Sequence, residues 1–166
     1  MLTENDVQEE TIVDLFSGQG PWLDFSSNQL SDLSRKTFQT LITLNIVPQM
    51  FKDALDFCED EEYLESSRKF GEIGAYLIGS LEGTQRGGSP DSVGVLFYSL
   101  AKQMCAGFGT CAPSGDAVAN ENILKTLEIA LTRTSNGESC SDIAAIASNF
   151  TKNLLVPTIQ GMNHNA

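Results

Sequence analysis

Residues 62–81 read EYLESSRKFGEIGAYLIGSL, and this stretch carries the pattern that decides the fold. Its large apolar side chains recur at spacings of three, four and seven residues, which places them on one face of an α-helix. They are Tyr63, Phe70, Ile73, Leu77 and Leu81. Similar spacing recurs along the rest of the chain, and strict alternation is nearly absent. The sequence therefore predicts an all-α fold.

Breaks rich in Gly, Pro and Ser divide this pattern into five to six short helices. A serine in the Phe25-Ser26-Ser27 segment can cap the second helix, and Pro48 should kink or end it because proline lacks a backbone donor. The predicted helices cover about residues 6–17, 27–45 with a continuation at 49–57, 62–81, 89–107, 116–132 and 139–156. We expect one compact bundle over residues 1–157 and a flexible C-terminal tail over 158–166.

The expected core consists of large apolar side chains on these helix faces. They are Leu30, Leu41, Phe70, Ile73, Leu77, Leu96, Phe97, Leu100, Leu124, Leu127 and Phe150. Gly71, Gly74 and Gly79 interrupt the third helix, where we expect them to let a neighbouring helix approach closely.

The charge balance excludes two classes of partner. The chain of 166 residues holds 22 acidic and 10 basic side chains, for a formal net charge of −12. With so few basic side chains, the protein has no basic surface that could bind phosphates. We therefore expect neither nucleic acid nor an anionic membrane as a partner. No apolar stretch approaches the roughly 20 residues that span a bilayer. The sequence predicts a soluble protein.

Residues suited to catalysis are scarce. The one histidine, His164, lies in the expected tail, and no serine or cysteine near it belongs to a recognisable nucleophile motif. The glycine pairs at 18–20 and 107–109 lack the preceding strand of a phosphate-binding loop. We expect no enzyme activity and no cofactor.

The four cysteines, Cys58, Cys105, Cys111 and Cys140, have spacings unlike those of a zinc site. An even count, together with the Asn149-Phe150-Thr151 glycosylation motif, fits a secreted chain whose signal peptide has been removed. We expect at least one disulfide: Cys58 with the 105–111 segment or with Cys140, or Cys105 with Cys111. The alternative is four buried thiols in a cytosolic protein.

Acidic residues cluster in two places. The first 34 residues contain seven acids and no lysine or arginine, and residues 53–65 contain seven more. The second cluster lacks the alternating ligands and central glycine of an EF-hand, so a solvated loop is expected there rather than a calcium site. Clustered carboxylates also raise one another's pKa, which offers a route to pH sensitivity.

A ten-residue segment, FSSNQLSDLS at 25–34, resembles the start of the second helix in the N-terminal domains of spider-silk proteins, the spidroins. The run Phe70-Gly71-Glu72-Ile73-Gly74 is similar to that family's Ala-Glu-Ile-Ala type of run. Paired aromatics at 97–98 and the segment 120–123 follow in the family's order, across about residues 10–131. Helical repeat domains of aciniform and tubuliform silk proteins share this style of helices and loops.

The chain departs from that family in five respects. It has four cysteines, a tryptophan (Trp22) in the first interhelical loop, an extra stretch at 46–60 and a sixth helix. It also lacks the serine and alanine richness of silk repeats.

The resemblance implies a helical domain that keeps a silk protein soluble and then dimerises as pH and salt fall. It assigns pH-sensing and dimer roles to Asp32, Glu72 and Glu121. The basic residues of a second copy expected to face these acids are Arg35, Lys36 and Arg68. Salt would weaken that pairing, whereas protonation of crowded carboxylates would tighten the dimer as pH falls from about 7 to roughly 5.5.

We therefore expect a secreted, disulfide-containing bundle that controls the solubility and self-assembly of a silk-type protein as a homodimer or higher assembly. The alternative is a secreted helical binding module, such as a small-ligand carrier or an effector. Its pocket would be lined by Phe70, Phe97 and Leu100.

Overall fold

A computed structural model describes residues 13–79 and 96–163 of the chain. Six α-helices lie entirely within these residues: α1 (Ser27–Leu41), α2 (Val47–Glu59), α3 (Tyr63–Ile78), α4 (Phe97–Phe108), α5 (Val118–Ser135) and α6 (Ser141–Asn163). In this part of the chain the one extended pairing is an isolated bridge between Cys111 and Ala117. The predicted all-α fold is confirmed. The chain divides into two compact units, residues 1–38 and 39–166, and the single bundle expected over 1–157 stays a prediction.

The first unit shows the predicted helix signals at residues 13–38. Residues 13–17 are helical and end at Gly18, whose φ of +64° suits glycine. The predicted helix at 6–12 lies outside the described residues. Ser26 caps α1 as expected: its hydroxyl oxygen accepts the Gln29 amide at 3.4 Å, while the Ser26 amide donates to Gln29 Oε1 at 2.9 Å. This reciprocal pair is a capping box.

Pro48 changes the helix geometry as expected, although it does not stop the helix. A π-helical turn, Ile42–Ile46, separates α1 from α2, and Pro48 occupies the first turn of α2. Proline cannot donate to the carbonyl four residues earlier, and its ring clashes with that carbonyl. A widened turn removes the conflict, so helical structure resumes at Val47.

The core of the second unit centres on three phenylalanines from three helices. Phe51 of α2 packs edge-on against Phe70 of α3 at 5.3 Å and stacks on Phe150 of α6 at 4.5 Å. The expected core residues that are buried are Phe70, Ile73, Leu77, Phe97, Leu127 and Phe150. The expected core residues that are only partly buried are Leu30, in the first unit, and Leu41, Leu96, Leu100 and Leu124. Phe51 and Val47 are fully part of the core, although their helix was expected merely as a continuation.

The prediction of a tail over residues 158–166 is wrong for residues 158–163, because α6 continues through Pro157 to Asn163. Pro157 and Thr158 are buried, and the Thr158 hydroxyl donates to the Leu154 carbonyl at 2.9 Å. A Cβ built on Gly161 would lie 3.0 Å from Leu100 Cδ1, so α6 approaches α4 closely there. This packing outweighs the lost backbone hydrogen bond of the proline.

Two other helix boundaries differ from the sequence prediction. α3 ends at Ile78, because Gly79 adopts a φ of +77°, and Leu81 lies outside the described residues. Leu96 is extended and α4 begins at Phe97, while the predicted start at Ser89 falls in the part of the chain that is not described.

Candidate functional site

The four cysteines form two disulfides of very different span. Cys58, near the end of α2, bonds to Cys140, 82 positions later and directly before α6, with 6.0 Å between their Cα atoms. Cys105, in the last turn of α4, bonds to Cys111 six positions later, with 4.7 Å between the Cα atoms. The prediction of at least one disulfide is confirmed, and both pairs are among those that the sequence left open.

Asp32 does not have the raised pKa expected of a pH sensor. Its carboxylate lies 2.7 Å from Lys36 Nζ and 2.6 Å from Arg35, both on its own helix. The hydrogen bond from Lys36, followed by that from Arg35, lowers the pKa of Asp32 below its ordinary value, although burial opposes them. Within one copy these ion pairs favour the charged form of Asp32, and its expected role in pH sensing by a dimer stays a prediction.

Glu72 and Glu121 also have partners within their own copy. Glu72 pairs with Arg68 one turn earlier and with Lys69 Nζ at 3.2 Å on α3. Glu121, near the start of α5, accepts a hydrogen bond from the Ser114 hydroxyl at 2.5 Å. The two acids lie on different helices and share no hydrogen-bond partner. Their roles in a dimer stay a prediction.

The basic residues expected to face a second copy are engaged within single helices. Arg35 and Lys36 hold Asp32, and Arg68 bridges Glu65 at 2.9 Å as well as Glu72. The hydrogen bond and charge of Glu65, with the charge of Glu72, raise the pKa of Arg68. A second copy would have to displace these pairs to use the same groups.

The acidic stretch at 53–65 forms the corner between α2 and α3. Glu61 turns the chain with a φ of +64°, and the Glu62 amide donates to the Phe57 carbonyl at 2.8 Å. The side chains at 59–62 are exposed, as a solvated turn requires. Across residues 13–79 and 96–163 no group of three or more His, Cys, Asp or Glu side chains could hold a metal ion.

The C-terminal half of α6 exposes a continuous apolar face that sequence reasoning missed. It consists of Leu155, Val156, Ile159 and Met162, which are 38%, 44%, 50% and 53% exposed. Residues 153–163 contain no charged side chain. The spacing of 155, 159 and 162 already indicates one helical face, but the sequence prediction ends the helix before Pro157 and places Ile159 and Met162 in a tail.

The helix that carries this face, here called the α6 apolar face, lies beside the start of α5. Asn122 donates to Asn153 Oδ1 at 3.1 Å, which sets α5 beside α6. The Val118 amide donates to the Thr110 carbonyl at 3.0 Å, and Gln160 Nε2 reaches the Thr110 hydroxyl at 3.2 Å. Val118 is itself 42% exposed at the start of α5.

A second apolar feature is a groove of about 600 Å³ between α3 and α5. Its walls are formed by Phe70, Ile78, Leu124, Leu127 and Leu131, and its α3 side includes Gly71, Gly74, Ala75 and Gly79. Phe70 is the single residue of the expected ligand pocket that lines it, since Phe97 and Leu100 lie elsewhere. Glu128 and Thr132 provide the polar atoms at its rim.

Two glycines of this groove do not serve the close helix packing that we expected. A Cβ built on Gly71 would meet nothing within 4 Å, and one on Gly74 would meet only Leu127 Cδ1 at 3.9 Å. Each position would therefore accept alanine, which favours a helix by roughly 1 kcal/mol over glycine. The glycines widen the groove.

Other sequence features have simple positions. Asn149 of the glycosylation motif is exposed on α6, whereas Phe150 beside it is buried. His164 lies outside the described residues. None of the helices in the described part of the chain is long and apolar enough to cross a membrane.

Comparisons with known protein families, with curated proteins and with solved structures find no match to this chain.

Proposed function

We propose that the protein is a secreted, non-enzymatic helical domain through which copies of a silk-type structural protein associate. The observation that carries this proposal is the α6 apolar face. Four large apolar side chains on one uncharged stretch of helix form the kind of exposed patch that marks an interaction site. The disulfides support secretion, because such bonds persist mainly in oxidising compartments.

The charge distribution favours a second copy as the occupant of this face. Two chains of net charge −12 repel each other, so they associate most readily where each presents neutral surface. Residues 153–163 provide such surface. A two-fold arrangement would bring Ile159 and Met162 of each copy against the same face of its partner, as in most homodimers.

This arrangement predicts a definite response to salt. Because residues 153–163 carry no charged side chain, an apolar contact there depends little on attractive charge pairs that salt could weaken. Salt screens only the repulsion between copies, over a Debye length of roughly 8 to 10 Å. Association should therefore tighten as salt is added, the opposite of a dimer held by acidic and basic faces. Acidification towards the pI near 4.3 should also tighten it by lowering the net charge.

Sedimentation velocity of the full chain with an Ile159→Glu variant tests the proposal. Ile159 is exposed, so the substitution should preserve the helical circular dichroism spectrum while placing a charge in both halves of a symmetric contact. We expect at least tenfold weaker dimerisation, since losing burial of one such side chain costs about 1.5 kcal/mol or more per copy.

The matched control is Leu64→Glu, which adds the same charge at an apolar position of α3 that is 81% exposed. It should associate like the unchanged protein. Equal association of Ile159→Glu and Leu64→Glu, or a dimer that salt weakens, would contradict the proposed face.

The groove between α3 and α5 favours the alternative, a ligand-binding module. The two functions use different helix faces. A chain that stays monomeric under all conditions would leave only the alternative.

A further inference from the structure

The groove between α3 and α5 has the size and composition of a small-molecule site. Its volume of about 600 Å³ lies within the roughly 300 to 1,000 Å³ typical of such sites. Leucine, isoleucine and phenylalanine side chains line it, and an apolar body gains free energy by covering them.

The two open glycines suggest that the space itself is maintained. Gly71 and Gly74 destabilise α3 relative to alanine, and among residues 13–79 and 96–163 no helix packs closely against the positions where their side chains would be. Alanine or larger residues there would strengthen the helix and reduce the groove. The sequence therefore retains space at the expense of helix stability.

The charge at the rim of the groove determines which ligand charge is favoured. Glu128 is the one charged residue among the described groove residues, and no described ion pair includes it. In the adjoining depression, Arg133 is already engaged by Glu138 and, at 2.9 Å, by Asp142. An amine at the rim would meet the Glu128 carboxylate. An anionic head would meet that carboxylate and the field of a chain with net charge −12.

We propose that this groove binds a long-chain aliphatic amine, with the chain on Gly71 and Gly74 and the ammonium at Glu128. The site is separate from the α6 apolar face, so binding and self-association can succeed or fail independently.

Isothermal titration calorimetry of the full chain with decylamine, decanol and decanoate, each below its micelle concentration, tests the charge preference. We expect saturable one-to-one binding of the amine, about two- to fivefold tighter than the alcohol, as an exposed ion pair allows. Decanoate should bind most weakly. Glu128→Gln should bring the amine to the affinity of the alcohol, and because Glu128 is exposed this variant keeps the fold.

Leucine substitutions test the location. Gly71→Leu with Gly74→Leu should fill the groove and abolish binding of all three probes. Gly107→Leu is the matched control, because Gly107 is also a helical glycine with open space around it and lies on α4, away from the groove. It should bind decylamine like the unchanged protein.

Two results would overturn the proposal. One is weak, multi-site uptake of decylamine that the leucine pair does not change, which would indicate adsorption to the acidic surface. The other is equal affinity for decylamine and decanoate. Failure of the leucine pair to fold would leave the Glu128→Gln comparison to decide.

Discussion

The two disulfides close regions that are built in different ways. The Cys58–Cys140 bridge is buried, with its cysteines 1% and 8% exposed, and joins helices far apart in the sequence. The Cys105–Cys111 bridge closes a short loop in which Cys111 is exposed. Side-chain hydrogen bonds also hold this loop: buried Asn120 donates to the Tyr98 carbonyl and to Asp116, each at 2.9 Å.

The difference concerns what each bridge constrains. A bridge spanning 82 positions removes many conformations from the unfolded chain, whereas one spanning six removes few. The Cys58–Cys140 bridge should therefore control whether the unit of residues 39–166 folds. The Cys105–Cys111 bridge should control only the shape of its own loop.

Removal of the long-range bridge should have the largest effect. Cys58→Ala with Cys140→Ala should lower the free energy of unfolding by about 4 to 5 kcal/mol in the chain-entropy model. Urea unfolding under non-reducing conditions, followed by circular dichroism, measures it. A loss below about 1 kcal/mol would show that packing alone fixes this corner.

Removal of the local bridge should cost about half as much. Cys105→Ala with Cys111→Ala should lower the free energy of unfolding by about 2 kcal/mol, since the closed loop is short. The same urea titration measures this loss, and the test is the difference in unfolding free energy between the two double variants. Equal losses would contradict the claim that the long-range bridge stabilises the fold more than the local one.

Asn120→Ala should distort the loop that the Cys105–Cys111 bridge closes, and it should cost less stability than removal of that bridge. It removes two hydrogen bonds in a buried position, for a loss of roughly 1 to 2 kcal/mol. Amide hydrogen exchange should rise mainly at residues 109–117 and little near Cys58. A uniform rise would mean that the loop is coupled to the whole unit.

The smallest expected effect lies beside Cys140 and depends on pH. The hydrogen bond from Asn136 at 3.0 Å, followed by that from Arg133, lowers the pKa of Glu138 below its ordinary value of 4.5. A carboxylate whose pKa is lower in the folded than in the unfolded protein stabilises the fold at pH above its unfolded pKa. That stabilisation is lost as the pH falls through its folded pKa.

Glu138→Gln should therefore reduce stability slightly at neutral pH and match the unchanged protein in strong acid. Urea unfolding at neutral pH, near pH 5.5 and below the folded pKa measures the change. Because the titration lies below 4.5, a difference that vanished already at about pH 5.5 would contradict it.

These regions also show what the sequence could predict. Helix spacing identified Phe70, Ile73 and Leu77 because a buried face leaves a periodic pattern. It could not identify the pairing of Cys58 with Cys140, because helix crossing geometry is not recorded in local sequence.

The apolar face and groove were harder to predict for separate reasons. Pro157 normally ends a helix, so the continuation of α6 depended on burial of Pro157 and Thr158 by distant residues. Gly71 and Gly74 looked like contact points for a neighbouring helix, since a sequence does not distinguish a close approach from an open space.

The span of the buried bridge also has a consequence for biosynthesis. Cys105 and Cys111 leave the ribosome together, and Cys140 follows 29 residues later. At roughly 5 to 20 residues per second this delay is about 1.5 to 6 s. An oxidising compartment can therefore close the short loop first and remove Cys105 and Cys111 as wrong partners for Cys58. Closing the short loop before Cys140 emerges would protect the late bridge, so loss of the short bridge should lower the yield of correctly paired protein more than its small stabilising effect implies.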